Sequence, residues 1–149
     1  MAENQSPTVV GVDGSEASYA ALRWALADAQ RRGAGTTVHV VSVHPAEYAT
    51  GMVDAPLAWH DNIEHQDRVR NLISDVLKKA ADEGLGDVNV TRQESVGHTA
   101  RILLDAAADA DLLVVGTRGH GGFAGLLLGS VAQTCVAHAN CPVVVVPLR

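Results

Sequence analysis

Five runs of β-branched and aliphatic residues alternate with four stretches of helical periodicity, and that alternation restricts the chain to very few architectures. Thr8 to Val12 (TVVGV) is a short apolar run that ends at Asp13-Gly14-Ser15, residues that supply turn and N-cap chemistry. Ala17, Ala20, Ala21, Trp24 and Ala27 then recur at helical spacing, and Arg31, Arg32 and Gly33 close the helix. Thr36 to Val43 is the second strand. From Pro45 to about Trp59 the composition is that of a loop, longer than most connections of its kind and suited to a mobile flap. Val69, Leu72, Ile73, Val76, Leu77 and Ala80 fit a one-sided amphipathic helix, with Lys78, Lys79 and Gly84 at its end.

Val88 to Val96 alternates valine with polar residues, as a half-exposed edge strand does. A third helix follows Gly97-His98-Thr99, with Leu103, Leu104 and Ala107 toward the core. Asp111 to Val115 is the fourth strand and Val143 to Val146 the fifth, with the helix from Val131 to Ala139 between them. Strict alternation with nearly continuous Val/Leu strands predicts an α/β fold: a doubly wound, five-stranded parallel sheet with helices on both faces. Ligands of such sheets lie beyond the carboxyl ends of the strands, where the winding reverses. Glycine marks two such ends, Asp13-Gly14 and Gly116, which strand order 3-2-1-4-5 would make neighbours.

At 149 residues the chain is expected to be a single domain, 1–149, with enough core to need no staple. A formal charge of −6, with no cluster of Lys and Arg among aromatics, argues against nucleic acid as a partner. No stretch reaches the roughly 18 apolar residues of a membrane span, and the first residues, MAENQSPT, lack the pattern of a signal peptide. A cytoplasmic location with no membrane association is expected. Cys135 and Cys141 form no metal or disulfide framework, and Cys135 falls on the apolar stripe of the fourth helix.

The segment GTRGHGGFAGLLLGS, Gly116 to Ser130, carries the function. It joins the fourth strand to a helix, where backbone N–H groups and the helix dipole converge on an anion. A Walker A loop is excluded because Gly122 stands where its lysine belongs. Gly119-x-Gly121-x-x-Ala124 matches the loose dinucleotide fingerprint, but it leads into further loop instead of a helix. Ser130 to Gln133 has the capping-box pattern. A Cβ at Gly116, Gly119 or Gly129 would hold the backbone off a ligand or forbid a positive φ. Taken singly, each glycine is better read as a tight strand exit; all four positions together with Asp13 favour a binding site. Arg118 and His120 lie in the loop as solvated residues, and His44, His60 and His65 are expected on the surface, with no metal site.

Gly116-x-x-Gly119, nine residues, then Gly129-Ser130 resembles the ATP-binding signature of the universal stress protein family. Val9 to Ser15 (VVGVDGS) and Cys141 to Val146 (CPVVVV) resemble the family's opening and closing segments, so the likeness covers the whole chain. The resemblance implies ATP held between two loops in a site that accepts Mg2+. Gly11, Val12 and Asp13 would hold adenine and ribose, and Val43 would pack the base. Val115, Gly116 and Gly119 would line sugar and phosphates, which Gly129, Ser130 and Val131 would bind through N–H groups and the Ser130 hydroxyl. Ala132 departs from members that carry Ser or Thr there, and so removes one phosphate contact. The resemblance also implies a homodimer through the fifth strand and a binding module active in stress response.

The alternative is a slow ATP hydrolase or phosphoryl-transfer enzyme. For that chemistry the sequence offers Asp13, Arg118 and His120 without an evident base and cationic clamp, so no catalytic residue is assigned. A phosphoryl-receiver domain is disfavoured, because strand three ends in Glu94-Ser95-Val96 without the acceptor Asp, and strand five is followed by Pro147-Leu148-Arg149 without the required Lys.

Overall fold

The computed structural model describes residues 6–44, 55–117 and 128–148, those from 55 to 62 by their backbone. The elements run β1 (Thr8–Gly11), α1 (Glu16–Arg32), β2 (Thr37–His44), α2 (Ala55–Ala80), β3 (Asn89–Val96), α3 (Thr99–Ala106), β4 (Leu112–Gly116), α4 (Ser130–His138) and β5 (Val143–Val146). All four strand pairings are parallel, as the alternation predicts, and the order is β3-β2-β1-β4-β5, the one that makes the glycine-marked ends of β1 and β4 neighbours. Thr8 faces Val38 on one side and Leu112 on the other, which makes β1 the centre of the sheet.

Alternate residues of each strand feed two cores. Val10, Val12, Val38, Val40 and Val114 pack against α1 and α2, while Val9, Val41, Val43, Leu113 and Val115 pack against α3 and α4. A strand buried on both faces must be apolar at every position, which is why β1 and β4 consist of Val, Leu, Thr and Gly. At the edge, β3 needs to be apolar only in part, and Asn89, Thr91, Arg92 and Glu94 are exposed.

Ser15 caps α1, its hydroxyl accepting from the Ser18 N–H at 3.2 Å, and Gly14 (φ 91°) makes the turn before it. The buried stripe is Ala17, Ser18, Ala21, Leu22, Ala25, Leu26 and Ala29. Ala20, Trp24 and Ala27, which recur at the same helical spacing, are half-buried. The helix touches β1, β4, β5 and α2 together, so its contact stripe is wider than a single-partner helix requires and is rotated toward the sheet.

α2 begins at Ala55, not after Trp59, because Pro56 falls in its first turn, where a missing N–H removes no helical bond. Residues 45–54, the remainder of the expected flap, lie outside the described residues. The expected core face of α2 is borne out at Val69, Ile73 and Ala80, each buried.

Gly116 has a different reason from the one expected. Its φ is not positive, and a Cβ built there would lie 2.7 Å from the Ala17 carbonyl carbon and 2.8 Å from its oxygen. The glycine lets the end of β4 rest against the first turn of α1. Gly11 is similar: a Cβ would meet Leu103 of α3 at 2.9 Å. Backbone cannot yield as a flexible side chain can. Gly116→Ala is therefore expected to destabilise the protein by about 1–3 kcal/mol in urea unfolding, the usual cost of overpacking. An unchanged midpoint would show that α1 and β4 separate without cost.

Candidate functional site

The order β3-β2-β1-β4-β5 reverses direction between β1 and β4, so the carboxyl ends of these two strands open a crevice. Gly11, Val12 and Asp13 stand at one lip, Val115 and Gly116 at the other, and Val43 lies near the end of the neighbouring β2. The Gly129 N–H donates to the Thr117 carbonyl at 2.6 Å, which ties the start of α4 to the exit of β4. Residues 118–127, between them in sequence, lie outside the described residues. Gly119, Arg118 and His120 therefore have no place in the described geometry.

At α4 the cap differs from the one expected. Gly129 is the N-cap (φ −69°, ψ 167°) with no side-chain cap, and Ser130 is the first helical residue. The first intrahelical bond runs from the Gln133 N–H to the Gly129 carbonyl at 3.0 Å, so the N–H groups of Ser130, Val131 and Ala132 precede it. The Gln133 side chain does not close a capping box; its amide donates to the Leu128 carbonyl at 2.8 Å. Gly129 is needed neither for a positive φ nor as a free donor, since its own N–H is spent on Thr117. What remains is an exposed Ser130 hydroxyl above an uncapped helix N-terminus, an arrangement suited to an anion.

Across the crevice Asp13 is fixed at the start of α1. Its Oδ1 accepts from the Ser15 N–H at 2.9 Å, and its own N–H donates to the Ser18 hydroxyl at 3.3 Å. Tyr19 lies near enough for the Asp13 charge to matter: burial first, and then that charge, push the phenol up from its ordinary value. Val43 and Val115, both buried, belong to the core on the α3–α4 side, whereas Val12 faces α1 and α2. The expected residues thus reach one edge of the sheet from both of its faces.

Cys135 is buried among the residues of α3 and α4, and burial, with the nearby Cys141, pushes its thiol up to about 11. It packs, as its position on the apolar stripe predicts. Among the described residues no group of three His, Cys, Asp or Glu side chains is arranged to hold a metal ion, and no helix is long and apolar enough to cross a membrane.

The structure also assembles a polar node that sequence reasoning missed. His44, expected on the surface, is only 2 % exposed. Its Nε2 lies 2.9 Å from Glu94 Oε1 on β3, and Glu94 Oε2 accepts from Arg70 Nε at 2.8 Å, while Arg70 Nη1 donates to Asp67 at 2.9 Å. His65, half-buried on α2, meets the His44 ring edge to face at 5.9 Å. The side chain of His60 lies outside the described residues. The only sequence signal for the node was a histidine in phase with buried Val38 and Val40, at the last position of a buried strand.

A model of the universal stress protein family matches residues 6–147. The universal stress protein Rv2623 of Mycobacterium tuberculosis is 37 % identical over 142 residues, which are 93 % of this chain and 46 % of that protein. The chain spans about half the length of the curated relatives it matches. Among solved structures, UspA from Lactobacillus plantarum superposes with a TM-score of 0.81 at 22 % identity, covering 97 % of this chain and 99 % of that one. A universal stress protein in complex with cAMP gives 0.60 at 25 % identity, covering 97 % and 98 %. The protein from Archaeoglobus fulgidus in complex with dAMP gives 0.63 at 24 %, covering 97 % and 99 %.

The node carries a pH dependence of known sign. Burial raises the Glu94 carboxyl, but hydrogen bonds from Arg70 and His44 and their charges outweigh it and hold the group below its ordinary 4.5. A lowered folded value adds stability above the unfolded value and loses it as pH falls through the folded one. Glu94→Gln should therefore lower stability at neutral pH, by less than about 1 kcal/mol for a side chain one-third exposed. The deficit should shrink as the pH falls below the ordinary carboxylate range in parallel urea titrations; a deficit that does not change between neutral and acid pH would contradict this.

Proposed function

Because this chain belongs to the universal stress protein family, we propose that it is a nucleotide-binding module that holds ATP, with Mg2+, across the β1–β4 crevice. One observation carries the reading: the uncapped N-terminus of α4 is tied to the exit of β4, the strand that borders β1 and its Asp13. Phosphates would take the N–H groups of Ser130 and Val131 and the Ser130 hydroxyl, in the field of the helix dipole. The Asp13 carboxylate, held by the Ser15 N–H, would accept from ribose hydroxyls. Gly11, Val12 and Val43 would border the base, and Val115, Gly116 and Gly119 the sugar and phosphates. The structures of relatives with cAMP and dAMP support adenine as the base. The role is that of a cytoplasmic sensor in stress response, built as a single domain, 1–149, in which occupancy of the crevice is the signal and no hydrolysis is required.

The edge strand β5 supports a second element of the proposal, a homodimer. Val143, Val144 and Val145 are only partly buried although apolar, and a parallel edge of this composition favours pairing with another copy. Curated relatives about twice as long are consistent with two such units working together.

Ser130→Glu tests the site without harming the helix, since a carboxylate in the first turn suits the dipole but repels phosphate. Titration calorimetry is expected to show ATP binding, with affinity at least tenfold weaker in the variant at unchanged thermal stability, a loss of about 1.4 kcal/mol or more. No heat with AMP, ADP or ATP, with or without Mg2+, and no nucleotide released on denaturing the purified protein would overturn the reading. Light scattering at micromolar concentration should give a dimer, and Val145→Lys a monomer. A monomeric native protein would overturn the dimer.

A further inference from the structure

β2 carries valine at most of its buried positions, but Ser42 interrupts the row on the face that α2 covers, where Val38 and Val40 precede it. In the parallel register Val40 lies beside Arg92 and Ser42 beside Glu94, so these four side chains share that face. Arg70 and Ser74 stand opposite on α2, one turn apart. With serine in place of a larger apolar residue on both the strand and the helix, a cavity of about 380 Å³ is left between α2 and the β2–β3 edge. It is lined by Val40, Ser42, Arg70, Ser74, Arg92 and Glu94. A space of this size is at the lower end of small-molecule sites, roughly 300–1,000 Å³.

The cavity is graded from floor to rim. Val40 and Ser42 are buried, whereas Arg70, Ser74, Arg92 and Glu94 are exposed, so solvent reaches the polar groups above an enclosed floor. Ser42 is only 6 % exposed, and its hydroxyl has no hydrogen-bond partner among the described residues. Buried hydroxyls are normally paired, and here the partner must come from whatever enters the cavity.

Charge is unbalanced along the rim, where two arginines face one carboxylate. Arg70 is committed twice, its Nε to Glu94 at 2.8 Å and its Nη1 to Asp67 at 2.9 Å. Arg92 donates instead to two neutral oxygens, the Ser74 hydroxyl and the Arg70 carbonyl, both at 3.2 Å, and pairs with no carboxylate among the described residues. Two of the guanidinium's five N–H groups are so used. The spare positive charge therefore sits on a planar fork that suits carboxylate or phosphate oxygens. Glu94, neutralised by Arg70, adds an acceptor with further lone pairs for hydroxyl groups. We infer that this cavity is a second ligand site that takes a small hydroxylated oxyanion, with the carboxylate or phosphate on Arg92 and hydroxyls on Ser42 and Glu94. The site does not rest on nucleotide binding, because β2 and β3 form its floor and the crevice proposed for the nucleotide lies between β1 and β4.

NMR titration of the full chain tests the site, with gluconate to supply the carboxylate, glycerol phosphate to supply the phosphate and sorbitol as the uncharged control, at ionic strength held constant with chloride. Saturable shifts at the amides of Ser42, Arg70, Ser74 and Arg92 are expected with at least one of the two anions, and the one that binds identifies the oxyanion. Sorbitol should give none. In Arg92→Gln, which keeps a polar stem and loses the charge, affinity should fall about tenfold. Ser42→Val, which suits a buried strand and removes the hydroxyl, should weaken binding several-fold. No saturable shift with either anion, an equal response to sorbitol, or native affinity in either variant would overturn the inference. Should Arg92→Gln not fold, Ser42→Val alone decides. Shifts confined to residues 130–132 would put the anion in the β1–β4 crevice, and would overturn this site while leaving the nucleotide reading intact.

Discussion

The structure depends on how closely its two central strands approach the helices that cover them. β1 and β4 lie side by side with α1 on one face and α3 on the other; nothing larger than hydrogen fits at Gly116 against the Ala17 backbone, and a Cβ at Gly11 would have to displace the Leu103 side chain. Small residues at these contacts draw the first turn of α1 onto the end of β4. That approach brings the cap of α1, Asp13 and the exit of β4 to one edge of the sheet. A wider spacing would open a gap in the core and spread the crevice.

The crevice is a product of topology before it is a product of side chains. Reversal of winding between β1 and β4 sends the connections that follow them to opposite sides of the sheet, and the Gly129 to Thr117 bond returns the chain to the end of β4 after the glycine segment. Main-chain donors at the start of α4 then face the strand ends without a competing side-chain cap. Ser130 serves this arrangement better as the first helical residue than as the cap, because its hydroxyl is not spent on the helix.

The β2–β3 side follows a different logic. Toward β1 the sheet is held by valines packed on both faces; toward β3, burial gives out and charged residues take over, with Glu94 as the shared acceptor for His44 and Arg70. An edge strand has water on one side, so its ties to a covering helix can be ionic at small cost. The exception is His44, which has the burial of the centre and the partners of the edge.

Hydrophobic periodicity made the fold class, the edge character of β3 and the core face of α2 legible in advance, because each is imposed residue by residue on a strand or helix that must be covered; the strand order came from the two strand ends that Asp13-Gly14 and Gly116 mark. Asp13-Gly14-Ser15 announced its turn for the same local reason. Which helix face of α1 would be most deeply buried, why Gly116 is a glycine, where α4 is capped and what surrounds His44 were decided only by assembly. Each depends on groups distant in sequence, Ala17 against Gly116, Thr117 against Gly129, Glu94 and His65 against His44, whose meeting no local pattern encodes.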